Sequence, residues 1–142
     1  MISVSHIHPV LVHFPIALVI FGFIAEVSSL FFRKEQCLSE TGYYLLIAGT
    51  VMAFLAWLSG SLFTSDLVGK AGEIMERHEL FALITVGFLI AASALRIFLK
   101  AKGRENSRLM WMAFILYCLG TGSVIITGFL GGTMVYNYMI GI

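Results

Sequence analysis

Histidine supplies the chemistry this chain could do. His6, His8 and His13 gather at the start of the first long apolar stretch, and His78 stands at the start of the third. If the stretches cross a bilayer in alternating directions, all four histidines lie near one membrane face. Histidine is uncommon within membrane helices and marks pathways, relays or ligand sites there. Three chemistries suit the set. Two imidazoles from parallel helices could be the axial ligands of a b-type haem, with no covalent attachment. Three histidines with an acidic residue such as Asp66 or Glu79 could hold zinc or copper. His13 and His78 could instead titrate beside a quinol or another substrate.

The segment HIHPVLVHFPIAL positions the first three. Pro9 suits a first helical turn, where its missing N–H costs nothing. Pro15 falls inside the stretch, removes the bond to the Leu11 carbonyl and predicts a kink or locally freed backbone groups. Such a break can turn His13 inward, about 7 Å deeper than His8 at about 1.5 Å per residue. His6 precedes the helix and reads as interfacial. His13 and His78 are therefore the expected inward pair. His8 is the substitute, since five residues along a helix turn a side chain by about 140°.

The elements that must carry these residues are membrane helices. The chain has 142 residues, of which 59% are hydrophobic and 12% charged, with a mean hydropathy of +0.95. That excludes an ordinary soluble domain. Residues 9–32, 41–63, 80–99 and 109–136 are each long enough to cross a hydrocarbon core, which takes about 20 helical residues. Backbone groups in lipid must bond internally, so such runs are helices, whereas a β-barrel would show shorter alternating segments. The expectation is an all-α, integral membrane four-helix bundle, with residues 1–142 forming one domain. The N-terminus lacks a basic leader, and its apolar stretch exceeds a signal-peptide core. Cys37 and Cys118 are isolated, with no CxxC or CxxCH grouping.

Seven of the nine basic residues fall on one side of this arrangement. They are Arg33, Lys34, Arg96, Lys100, Lys102, Arg104 and Arg108, with only Lys70 and Arg77 on the other. Cytoplasmic loops carry the basic excess, which predicts both termini outside and loops 33–40 and 100–108 inside. In a bacterial inner membrane the histidine face is then periplasmic. Tyr43, Tyr44, Trp57, Trp111, Tyr136 and Tyr138 sit near the ends of the stretches as interfacial anchors.

Glu26 lies eighteen residues after His8, and Arg96 eighteen after His78. Equal depth of the two helices makes them a structural ion pair, because an unpaired charge in lipid is costly; the alternative is a proton entrance from the cytoplasm. Helix two carries Gly49, Ala53, Ala56 and Gly60 on one stripe, and helix four carries Gly120, Ser123, Thr127 and Gly131. These stripes allow close helix packing, or they leave room for a porphyrin. No inverted repeat of the transporter kind is visible. The turns around Gly69–Gly72 and Gly103 read as connections.

The elements HPVLVHFPIAL, WLSGSLFTSD, a histidine at the next helix start, and GFLGGTMVY together resemble a bacterial four-span membrane family catalogued as a domain of unknown function. The resemblance spans essentially the whole chain. Its matching positions are His8, Pro9, His13, Pro15, Asp66, His78, Gly131, Gly132, Val135 and Tyr136. Members of that family can be fused to a Rieske iron–sulfur domain, which by analogy implies electron transfer.

The leading expectation is a haem b subunit without catalytic activity of its own. His13 and His78 would hold one haem, with Asp66 or Tyr136 as candidates to meet its propionates. Electrons would pass between a quinol and a periplasmic redox protein. The alternatives are a cofactor-free structural or assembly subunit of a larger membrane complex, and a periplasmic-face metal-binding protein. Lipid is the expected surrounding, and nothing points to nucleic acid.

Overall fold

The computed structural model describes residues 7–63, 68–104 and 108–138. His6 and Asp66 lie outside the described residues. The elements are α1 (Ile7–Leu11), α2 (His13–Phe31), α3 (Gln36–Phe63), α4 (Gly69–Ala101) and α5 (Arg108–Tyr138). Helices α1 and α2 together make one span, His8–Phe31, so among the described residues four helices are long and apolar enough to cross a membrane. They pack as a bundle, and the protein is a multi-pass membrane protein whose outer surface meets lipid.

The break between α1 and α2 falls at Val12, whose backbone stays helical at φ −63° and ψ −22°. Val12 N–H still donates to the His8 carbonyl at 3.1 Å. Pro15 lacks the N–H that would reach Leu11, which explains why the ladder is interrupted just here. The sequence expectation of a disturbance at this turn is met by a local interruption within one span.

The helices outrun the apolar stretches, most of all at α4. It begins at Gly69, whose φ of +70° suits glycine, rather than near residue 80. The polar run from Lys70 to Glu79 is therefore helix and not connection, and His78 sits more than two turns inside it. Hydropathy detects what lipid surrounds, not where helical hydrogen bonding starts. At its other end α4 closes with Gly103 N–H donating to the Lys100 carbonyl and Arg104 N–H to the Leu99 carbonyl. Gly103 has φ +61°, the left-handed conformation that this helix stop requires.

Val19, Leu46, Leu89, Leu99 and Tyr117 are the largest fully buried side chains. Glycine lets α2 approach α3 and α4 approach α5. A Cβ on Gly49 would come within 2.7 Å of the Val19 side chain, and one on Gly120 within 2.8 Å of Leu89. Across the middle, Thr50 and Ser93 hydroxyls bond at 2.7 Å, and Tyr117 O–H donates to the Val19 carbonyl at 3.1 Å. Large residues such as Phe21 and Phe129 point outward, as expected where the solvent is acyl chain rather than water.

Candidate histidine site

At one end of the bundle, α1 brings His8 against α3. Its Nδ1 lies 3.0 Å from the Ala56 carbonyl and 2.9 Å from Ser59 Oγ. The Ser59 hydroxyl itself donates to the same carbonyl at 2.8 Å. On the other side of the bundle, His78 Nδ1 lies 3.0 Å from the Thr127 carbonyl of α5. A carbonyl oxygen only accepts, so in each neutral ring the proton sits on Nδ1 and the Nε2 lone pair is left free. The two rings face each other with centroids 6.4 Å apart and planes at 88°.

Each ring rests on a glycine. A Cβ on Gly60 would lie 3.0 Å from His8 Cε1, and one on Gly131 would lie 3.3 Å from His78 Cε1. The small-residue stripes thus do two jobs, drawing the helices together at mid-span and seating the histidines at the end. The rings line a small cleft shared with Ala53, Trp57, Ala82, Thr85 and Gly128, among others. Its walls are almost wholly apolar.

The structure therefore brings His8 and His78 together and does not bring His13 to them. His13 is exposed, and its Nδ1–H donates to the Pro9 carbonyl of its own helix at 2.7 Å. The interruption at Val12 is too slight to undo the rotation between positions 8 and 13. Glu79 is exposed, and so is Tyr136, at 87%. Among the described residues, no three His, Cys, Asp or Glu side chains gather as a metal-holding group. Sequence reasoning missed Ser59 and the role of Trp57, which lines the cleft beside His8 rather than serving only as an anchor. The signal available for the glycine seats was the repeated spacing of Gly49 to Gly60 and Gly120 to Gly131.

At the opposite end, the structure joins Glu26 and Arg96. Arg96 Nη1 donates to Glu26 Oε1, and both side chains are 6% exposed. Glu26 Oε2 is buried without a hydrogen-bond partner, packed where a Gly42 Cβ would come within 2.7 Å of it. Tyr43 stacks under this cluster, with the Lys100 ammonium 4.3 Å and the Arg96 guanidinium 6.0 Å from its ring centroid.

Comparison with known proteins found no match among curated proteins or solved structures. A family model described as "Predicted membrane protein (DUF2231)" matches residues 5–142, which is nearly the whole chain. The chain belongs to that family of membrane proteins.

Proposed function

We propose that His8 and His78 would hold one b-type haem, and that the protein is an electron-transfer subunit of a bacterial inner membrane. The observation that carries this reading is the matched geometry of the two rings. Each is held through Nδ1 by a backbone carbonyl, an arrangement that orients a ligating imidazole and raises its basicity. Each keeps Nε2 free for a metal. The two rings stand close to each other, with centroids 6.4 Å apart. The apolar lining of the cleft supports a hydrophobic cofactor.

The bound haem would supply one-electron redox chemistry. The protein's own residues would do the rest. His8 and His78 bind and orient, Ala56, Ser59 and Thr127 fix the rings, and the apolar walls exclude water. The excess of basic residues at the Glu26–Arg96 end supports an orientation with the histidine site toward the periplasm. A quinol and a periplasmic redox protein, or a larger membrane complex, are the partners this reading implies.

The test is a reduced-minus-oxidised visible spectrum of detergent-purified protein expressed with ample haem. We expect a sharp b-type α band that is lost in His8→Ala and in His78→Ala but kept in His13→Ala. A featureless spectrum from folded protein would sink the reading. A second reading is a single metal ion that the same two histidines would hold, favoured by the close approach of the rings; imidazole suits both copper and zinc. Metal bound at one per chain in haem-free protein, and lost in the same two variants, would support it.

A further inference from the structure

The chain folds as two hairpins, α1–α3 and α4–α5, and their contacts correspond position by position. Adding 70 to a residue number in α1–α2 gives its counterpart in α4, and adding 71 in α3 gives its counterpart in α5. His8 becomes His78, and their ring acceptors, the Ala56 and Thr127 carbonyls, are counterparts too, both at 3.0 Å. Their glycine seats, Gly60 and Gly131, also correspond. Val19 and Leu89 are both fully buried, packed on the counterparts Gly49 and Gly120. Thr50 and Thr121 each donate back to the carbonyl four residues earlier, at 2.8 Å in both cases. Those carbonyls belong to Leu46 and Tyr117, again counterparts and again fully buried.

Two contacts across the centre join a residue to its own counterpart: His8 with His78, and Glu26 with Arg96. Contact between equivalent positions is the mark of a twofold axis. Here the axis is approximate and runs along the bundle, because α2 and α4 point the same way. The repeat is parallel rather than inverted, which is why a search for inverted symmetry in the sequence does not reveal it.

Glu26 and Arg96 break this symmetry in one respect, the sign of charge. Hairpins that share a packing surface can pair like with like as well as like with unlike. Pairing two first hairpins would bury two carboxylates against each other, and pairing two second hairpins would bury two guanidinium groups. Either arrangement leaves like charges unpaired in a membrane interior, whereas the unlike pairing neutralises both. We propose that the two hairpins are versions of one structural unit, and that the Glu26–Arg96 pair decides which hairpin pairs with which. The surface between them thus fits the opposite hairpin of a second copy of this chain as well as that of its own. Specificity here comes from rejecting the wrong partner.

The test uses two full-length variants carrying different affinity tags. Glu26→Arg puts arginine at both matched positions of one chain, and Arg96→Glu puts carboxylates at both positions of the other. Each expressed alone is expected to yield at least tenfold less folded, detergent-stable protein than the wild type. Expressed together they should restore folded protein that carries both tags in equal amounts, because each arginine-bearing hairpin then faces a glutamate-bearing one. The shorter pair Glu26→Lys and Arg96→Asp repeats the experiment with less steric demand. Wild-type yields from the variants expressed alone would overturn the proposal. So would failure of co-expression to rescue folded protein in both variant pairs.

Discussion

At the residue scale, the site depends on two side chains that are missing. Gly60 and Gly131 leave room for the histidine rings, and a methyl group at either position must push its ring aside. The approach is tighter at Gly60, 3.0 Å against 3.3 Å. If the rings ligate haem, Gly60→Ala should lower the haem-to-protein ratio severalfold, and Gly131→Ala should lower it less. Pyridine haemochrome quantification against total protein checks the order; equal retention in both variants would show that ring placement tolerates the shift. The sequence marked these glycines as a stripe, and it marked His8 and His78 as candidates. It could not choose His8 over His13, because the choice depends on how far the chain turns through the Val12 interruption. That turn is set by packing of α1 against α3, not by any local signal in HIHPVLVHFPIAL.

At the element scale, the spans were legible because lipid demands long apolar runs, and the depth match of Glu26 with Arg96 was legible because a helix rises regularly. The true start of α4 was not, since polar residues from Lys70 to Glu79 are as compatible with a loop as with a helix projecting beyond the hydrocarbon. Nor were the cross-helix bonds from Thr50 and Tyr117, which depend on which faces meet. The Glu26–Arg96 pair ties α2 to α4 where they have little other contact. Removing one partner leaves the other buried and uncompensated, at a cost of about 3–5 kcal/mol. Glu26→Ala should therefore destabilise the bundle by about that amount, and Glu26→Met with Arg96→Met by distinctly less. Unfolding in mixed micelles followed by circular dichroism measures both; a double variant as unstable as the single one would show that the pair does more than neutralise itself.

At the scale of the whole molecule, orientation decides which compartment the histidine cleft serves. Cys37 is exposed beside the turn joining α2 and α3, and Cys118 is exposed mid-way along α5, where it faces lipid. With the basic turns in the cytoplasm, a membrane-impermeant maleimide should label Cys37 in inside-out vesicles and leave it unlabelled in spheroplasts. Cys118 should react in neither. Labelling from the outer side would turn the cleft toward the cytoplasm and remove the periplasmic partner from the proposal. The two hairpins also differ in one mechanical respect. His78 rides on an uninterrupted helix, Gly69–Ala101, whereas His8 rides on the five-residue α1, which meets its main rod at Val12. The two sides of the cleft are therefore built differently, one on a continuous rod and the other on a short segment whose helical ladder is interrupted.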